Sequence, residues 1–217
     1  MRTADCRQLK VKMKDYKTIK QNTEATHVVE RSKFIAHIRR VESREEAEQF
    51  IAAIKKEYWD ARHNVYAYVL KSGESRCSDD GEPSGTSGMP TLDVLLGQGF
   101  SDVCVVTTRY FGGILLGTGG LVRAYSKAAA LALEAAGSTE VSECSVFEAV
   151  VPYSYVDKMN RFLEENACVK ESVDYGEQVR FCFYCRSADS AQMCAALTDR
   201  FHGEVHEKFL ENAYKEL

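Results

Sequence analysis

The sequence has no apolar run approaching the roughly 18 residues of a membrane-spanning helix, and it does not open with a charged segment followed by an apolar one. The first absence argues against a membrane protein and the second against a secreted one, so we expect a cytoplasmic protein. The eight cysteines lie mostly inside apolar or strand-like runs. Free cysteine behaves there as a small buried hydrophobic residue, so a reducing compartment is the simplest account.

The chain also lacks the overall positive charge of a protein that coats nucleic acid, because its formal net charge is −4 over 217 residues. That charge is unevenly distributed. Residues 1–40 carry eleven Lys and Arg against four Asp and Glu, whereas residues 138–217 carry eight against fifteen. Any RNA contact is therefore expected in the N-terminal part of the chain.

Several nucleotide-binding and catalytic motifs are incomplete or missing. The segment from Gly112 nearly matches a phosphate-binding loop, but Thr118 stands where the lysine belongs, so the β/γ-phosphate contact is missing. Gly117-Thr118-Gly119 begins a dinucleotide fingerprint, yet Val122 occupies the position of its third glycine. No G-x-S-x-G nucleophile elbow is present. These absences favour a non-catalytic protein over an enzyme.

What the chain has instead is a concentration of glycine, since ten of its 14 glycines lie between Gly81 and Gly120. Glycine is costly to order, so such crowding indicates positive φ angles or a close approach of the backbone to something else. The β-branched run 103–108 predicts a buried strand, and apolar residues at helical spacing predict a helix from about Gly119 to Ala136. A glycine loop between them aims backbone N–H groups and the positive end of a helix dipole at an anion.

We predict a binding surface formed by this glycine loop and by the acidic segment 79–90. Arg109, Tyr110 and Phe111 suit stacking on bases with phosphate contact, and they equally suit a protein-docking hot spot. Packing of both aromatic rings under the loop is a third alternative that stays open. The residues of the predicted surface are Arg76, Asp80, Glu82, Pro83, Gly85, Thr86, Gly88, Arg109, Tyr110, Phe111, Gly112, Gly113, Gly117, Thr118, Gly119, Gly120, Arg123 and Tyr125.

Two patterns resemble metal sites. Asp79, Asp80 and Glu82 offer the oxygen ligands that Mg²⁺ prefers, but acidic residues in a turn more often cap the following helix. A Cys182-x2-Cys185 pair followed by a pair of histidines at 202 and 206 has the ligand types of a zinc finger, but a full amphipathic helix separates the two pairs. We therefore predict no bound metal and no cofactor.

The chain is predicted to form two α+β domains. In the first, Ser43-x-x-Glu46 is a capping box that predicts a helix to about Tyr58, and the strand at 64–70 is apolar enough for both faces to be covered. A polar segment, 138–143, predicts a linker. The following residues show the order strand, helix, strand, strand, helix, strand, with the last strand at 204–210, and this order is typical of the ferredoxin-like fold.

Two segments, DDGEPSGTSGMP at 79–90 and VVTTRYFGGILLGTGGLVRAY at 105–125, resemble the signature of the IMPACT/YigZ family. The resemblance covers roughly residues 16–217 and is to the two-domain bacterial members. It implies a ribosomal protein S5 domain 2-like domain at 16–137 before the ferredoxin-like domain at 144–217, with 1–15 as a disordered extension. Ser87 stands where alanine is expected, and Leu115 where many members carry lysine, which weakens a direct phosphate contact by the loop.

The resemblance implies a non-catalytic factor linked to the regulation of translation. Eukaryotic relatives regulate translation initiation by engaging the activator of a stress-responsive initiation-factor kinase, and bacterial two-domain relatives are candidate RNA or ribosome binders. The expected partner is therefore RNA, the ribosome or a translation-associated protein, and the sequence does not fix the oligomeric state. The alternative is a Mg²⁺-dependent enzyme acting on a small phosphorylated or nucleotide ligand at the glycine-rich loops.

Overall fold

The computed structural model describes residues 15–216, which separate into two compact units. The first unit spans residues 16–140, and the second begins at Val141. Among the described residues, no helix is both long enough and apolar enough to cross a membrane. The predicted disordered extension, 1–15, falls outside the described residues except for Asp15.

The first unit has an α+β architecture built on one antiparallel sheet. Its elements are β1 (Tyr16–Ile19), β2 (Thr23–Val29), β3 (Ser32–Arg40), α1 (Arg44–Glu57), β4 (His63–Val69), β5 (Ser75–Ser78), α2 (Gly88–Gly97), β6 (Val103–Tyr110) and α3 (Gly117–Ala136). The sheet order is β2-β3-β6-β4-β5, with every neighbouring pair antiparallel. Strands β2 and β5 therefore form its two opposite edges.

Helices cover both faces of this sheet because its central strands are apolar on both sides. On one face, Val105 packs in a core with Leu95 of α2 and Tyr125 of α3. On the other face, Val106 packs in a separate core with Phe50 of α1. The strand predicted at 64–70 contributes to both cores, so its predicted burial on two faces is confirmed.

Helix α1 begins where the capping box predicts. The Ser43 hydroxyl accepts a hydrogen bond from the Glu46 backbone N–H (3.2 Å), and the Glu46 carboxylate accepts one from the Glu42 N–H (2.8 Å). The buried side chains of α1 recur at helical spacing and face the sheet. They are Ala47, Phe50, Ile51 and Ile54.

The second unit repeats the α+β theme with a different order of elements. After β7 (Ser138–Val151) come a short 3-10 helix (Tyr153–Tyr155), α4 (Val156–Glu165), β8 (Val169–Tyr175), β9 (Val179–Arg186), α5 (Ser190–Arg200) and β10 (Glu207–Glu216). Four of these strands pair antiparallel in the order β10-β7-β9-β8. Both helices share one core with the sheet. The predicted order of strands and helices is confirmed.

Some predicted boundaries are wrong. Residues 138–143 are the first part of β7, not a linker, and the last strand lies at Glu207–Glu216 instead of 204–210. The short strands β1 and β5 were not predicted. Each has four residues, which is too few for an alternating pattern to stand out.

Candidate functional site

The acidic segment 79–90 folds around one of its own carboxylates. Asp79 Oδ1 accepts hydrogen bonds from the Ser87 hydroxyl (2.6 Å), the Ser87 N–H (3.1 Å) and the Gly88 N–H (2.8 Å). Asp79 Oδ2 accepts one from the Gly85 N–H (2.8 Å). Because α2 begins at Gly88, this carboxylate also lies at the positive end of a helix dipole. The backbone donors of Gly85 and Gly88, predicted as part of the binding surface, are therefore engaged within the protein.

The rest of this turn is equally occupied. Thr86 is buried, and its hydroxyl donates to the Pro83 carbonyl (2.6 Å). A Cβ at Gly88 would lie 2.8 Å from the Ser78 carbonyl carbon, so only glycine fits against that strand. Pro83 and Gly85 are exposed. The segment supports the start of α2 and offers no cradle of free donors for a phosphate.

The pH dependence of stability should reveal the Asp79 contacts. Burial alone would raise the pKa of Asp79, but the hydrogen bonds from Ser87, Gly85 and Gly88 outweigh it and lower the pKa below its ordinary value. A lowered folded-state pKa means that the stabilisation is complete above the unfolded-state pKa and is lost as pH falls through the folded-state value.

We expect Asp79→Asn to lower the free energy of unfolding by about 1–2 kcal/mol at neutral pH. The difference between wild type and variant should shrink as the pH falls below about 4. Urea unfolding of both proteins at a series of pH values measures it. A difference that stays constant down to pH ~2 would show that the charge of Asp79 contributes nothing.

A buried ion pair joins the two glycine-rich segments. Arg109 Nη1 lies 2.7 Å from Glu82 Oε1, and the Tyr125 hydroxyl donates to the same oxygen at 2.8 Å. The Arg109 and Glu82 side chains are only 8% and 3% exposed, and Tyr125 is fully buried. Burial, and next the charge of Glu82, raise the pKa of Tyr125, so its hydroxyl stays protonated and keeps donating. Arg109, Glu82 and Tyr125, which were predicted for the binding surface, are buried, and they hold α3 and β6 to the acidic segment.

Asp80 also has internal partners. Its carboxylate accepts hydrogen bonds from Lys55 Nζ (2.5 Å) and from the Asn64 backbone N–H (2.7 Å). Its carbonyl oxygen lies 2.8 Å from His63 Nδ1. Asp80 therefore fastens the acidic segment to α1 and to the start of β4, and the surface role predicted for it is not supported by its contacts.

The three acidic residues of the segment thus each bind a different group within the chain. Asp79 binds backbone donors, Asp80 binds Lys55 and Glu82 binds Arg109. Within residues 15–216, no group of three or more His, Cys, Asp or Glu side chains is placed to hold a metal ion. The Mg²⁺-dependent alternative loses the ligand set on which it was based.

The cysteine and histidine pairs of the zinc pattern do not converge either. Cys185 is buried in the core of the second unit, whereas Cys182, three residues away on the same strand, lies on the opposite face of the sheet beside Glu171. Residues three apart on a strand face opposite sides, so no tetrahedral site can use both sulfur atoms.

Arg76 lies at the opposite edge of the sheet from the glycine loop before α3. It lies on β5 and pairs with Glu48 of α1 at 3.5 Å. The glycine loop before α3 lies near β2, which is the opposite edge. Arg76 therefore belongs to a different surface of the first unit.

The loop between β6 and α3 is where the predicted surface is exposed. Phe111 is 51% exposed, Ile114 is 39% exposed and Leu115 is 87% exposed. Tyr110 is half-buried, and its hydroxyl donates to Asp60 (2.9 Å). Gly113 is exposed, while Gly112 lies against the turn between β2 and β3. This loop presents aliphatic and aromatic side chains to solvent.

The loop forms one wall of an open groove of about 650 Å³, which we call the β2–α3 groove. Its other walls are the edge strand β2 and the first three turns of α3. The residues lining it are His27, Val29, Glu30, Ile114, Leu115, Leu116, Gly120, Arg123, Ala124 and Lys127.

Two cations on α3 are free to meet a partner at this groove. Arg123 and Lys127 are exposed and lie four residues apart, hence on one face of the helix. Neither forms an ion pair with any of the residues 15–216. Gly117, Thr118 and Gly119 open the helix, exposed and without a side-chain cap, and Gly120 lines the groove. The positive end of the helix dipole adds to the charge of the two side chains.

Sequence reasoning found Arg123 and Gly120 but missed most of the groove. Lys127 carries a signal that was available, because it follows Arg123 by one helical turn. The sequence gives no signal for His27, Val29 and Glu30 of the β2 edge, because only the fold brings them next to a helix almost 90 residues later in the chain.

Comparison with known proteins agrees with the two signature segments. Residues 30–133 match the Impact N-terminal domain, and residues 150–204 match a domain of unknown function, DUF1949. The IMPACT family member YvyE of Bacillus subtilis is 37% identical over 203 residues, covering 93% of this chain and 94% of YvyE. The IMPACT family member YigZ of Escherichia coli is 44% identical over 101 residues, covering 45% of this chain and 50% of YigZ.

A solved structure described only as a hypothetical protein is also similar. It superimposes with a TM-score of 0.59 at 28% sequence identity, covering 92% of this chain and 98% of that one. The likeness therefore extends over both units. YvyE is matched over almost its whole length, and the Impact N-terminal domain is matched within the first unit. This chain therefore belongs to the IMPACT family.

Proposed function

We propose that the chain is a non-catalytic binding factor linked to the regulation of translation, and that it contacts a protein partner through the β2–α3 groove and the adjoining loop. The single observation that carries this proposal is the combination of exposed apolar side chains with unpaired cations in one groove. The signature residues that were expected to make the contact are mostly internal. What they position is the exposed loop and the start of α3.

The chemistry of the groove favours a protein over RNA. Leu115 and Ile114 offer aliphatic anchors, which bury well in a protein pocket but do not stack on bases. Phe111 is the one aromatic ring of this loop that is largely exposed. An apolar centre with charges at its rim is the usual anatomy of a protein interface. With Arg123 and Lys127 at the rim, the matching partner surface is an apolar pocket bordered by acidic residues.

The link to translation and a cytoplasmic location come from the family. Its eukaryotic members act on translation initiation through a protein contact, and a protein-binding groove in the shared domain is consistent with that. We further propose an S5 domain 2-like fold for the first unit. For the second unit, the strand order β10-β7-β9-β8, with both helices in one core, supports a ferredoxin-like fold.

Substitutions in the groove should weaken binding of the protein partner. The full chain is used as bait in an extract of its source organism, the captured proteins are identified by mass spectrometry, and the affinity of the main partner is then measured. We expect Leu115→Asp to weaken this affinity by at least about 30-fold, as for a hot-spot residue. The double variant Arg123→Glu/Lys127→Glu should also weaken this affinity, and its effect should be larger at low salt than at high salt.

Matched controls lie on other surfaces of the first unit. Leu96→Asp changes an aliphatic side chain that is 51% exposed at the end of α2, and Lys56→Glu reverses an exposed charge on α1. Both should leave the affinity unchanged. If nuclease treatment removes the captured partner, and binding weakens steeply with salt, the contact is with RNA and the protein-partner proposal fails. Equal binding by groove variants and controls would place the contact elsewhere.

A further inference from the structure

The second unit gathers three cysteines in one place. Cys185 lies on β9 and is 1% exposed, while Cys168, just before β8, and Cys194, on α5, are partly exposed. All three pack in or against the same core. No role that we assign to the chain uses these thiols.

The pairing of β8 with β9 sets Cys168 directly opposite Cys185. Val169 pairs with Tyr184 and Lys170 with Phe183 in antiparallel register, so the next pair outward is Cys168 with Cys185. Directly opposed residues in such a pair have Cβ atoms about 4.5–5.5 Å apart, and a disulfide needs about 3.5–4.5 Å. Cys168 lies just outside the ladder, where a small shift of the backbone disturbs no strand.

The Cys168 thiol donates to the Asn166 carbonyl oxygen at 3.6 Å, and the two thiols influence each other's ionisation. Against the effect of burial, the neighbouring Cys168 thiol lowers the pKa of Cys185. The neighbouring Cys185, and next burial, raise the pKa of Cys168. The two thiols therefore do not ionise independently.

We propose that Cys168 and Cys185 are a redox-modification site that forms a reversible intramolecular disulfide in response to a small peroxide. Hydrogen peroxide meets the partly exposed Cys168. The Cys168 sulfur attacks one peroxide oxygen, the O–O bond breaks, and the released hydroxide takes the Cys168 thiol proton to form water. Cys168 is then a sulfenic acid.

The second step forms the bridge. The Cys185 sulfur attacks the Cys168 sulfur, the S–O bond breaks, and the leaving hydroxide combines with the Cys185 proton to form a second water. In total the two thiols lose two protons and two electrons, and the peroxide is reduced to two waters. A cellular dithiol or glutathione reverses the bond by exchange. A transient disulfide of this kind is compatible with a reducing compartment.

Peroxide treatment of the full chain tests the site. After a brief exposure, free thiols are alkylated and the protein is digested with trypsin, which cuts between the two cysteines at Lys170 and Arg180. We expect a linked peptide pair containing Cys168 and Cys185, a loss of about 2 Da for two hydrogen atoms, and full recovery on adding a reductant.

Variants distinguish this pair from the other thiols. Cys168→Ser should abolish the linked peptides, and because Cys168 is partly exposed this variant is expected to fold. Cys194→Ser removes the third thiol of the cluster, and Cys182→Ser removes the second thiol of the tryptic peptide 181–186 that carries Cys185; both should keep the link. Links through Cys194, or separate addition of oxygen to each sulfur without any link, would overturn the proposal.

Discussion

Replacing Glu82 by alanine is expected to lower the free energy of unfolding of the first unit by about 3–5 kcal/mol. The change leaves the Arg109 guanidinium 8% exposed and without a counterion, and it removes the acceptor of the Tyr125 hydroxyl. Leaving a buried charge unpaired is far more destabilising than removing the whole pair. The loss should appear as at least about 100-fold faster hydrogen exchange of the β6 amides, since tenfold corresponds to about 1.4 kcal/mol.

A double variant separates the charge from the packing. Glu82→Met/Arg109→Met removes both charges and keeps similar volume, and it should recover most of the stability lost in Glu82→Ala. Glu82→Gln keeps an acceptor for Tyr125 but not the charge, so an intermediate loss is expected. If Glu82→Ala costs less than about 1 kcal/mol, as exposed ion pairs do, the pair is reached by water and the internal role assigned to it is wrong.

This ion pair shows the limit of what could be predicted for the site. Arg109 stands beside two aromatic residues and a glycine loop, a neighbourhood that suits a surface contact as well as an interior one. Its partner Glu82 lies 27 residues earlier, in a loop with no periodicity. Strand β6 is buried on both faces, so even its alternation cannot tell which side chains reach solvent.

The fold was more accessible to sequence reasoning than the site. The capping box at Ser43 and the β-branched run in β6 are local signals that act within a few residues, and both elements form where they predict. The element order of the second unit followed in the same way. Strand β5 was not predicted because its residues are largely polar and it forms only by pairing with β4. The start of β7 was predicted as a linker because a polar segment after a helix is also typical of a linker.

Replacing Gly112 by alanine should both destabilise the first unit and displace the groove loop. A Cβ at this position would lie 2.0 Å from the Arg31 carbonyl carbon and 2.4 Å from the Ser32 nitrogen. These are backbone atoms of the β2–β3 turn and cannot rotate away. The Gly112 N–H also donates to the Ser32 hydroxyl (3.2 Å), so the loop and the turn must separate together. We expect a loss above the roughly 1–3 kcal/mol of ordinary overpacking, measured by urea unfolding.

Two neighbouring glycines supply the controls. Gly113 has φ +85° but nothing within 4 Å, so Gly113→Ala tests backbone strain without a clash and should cost only about 1–2 kcal/mol. Gly119 lies in α3 with its nearest neighbour, Arg123 Nη1, at 3.6 Å, so Gly119→Ala should be neutral or stabilise by up to about 1 kcal/mol.

A close approach between the loop and the turn predicts the order Gly112, Gly113, Gly119 for the loss of stability. It also predicts that Gly112→Ala weakens partner binding even at temperatures where the protein stays folded, because Ile114 and Leu115 move with the loop. If Gly112→Ala instead behaves like Gly119→Ala, the β2–β3 turn does not hold the loop, and the groove is not set by this contact.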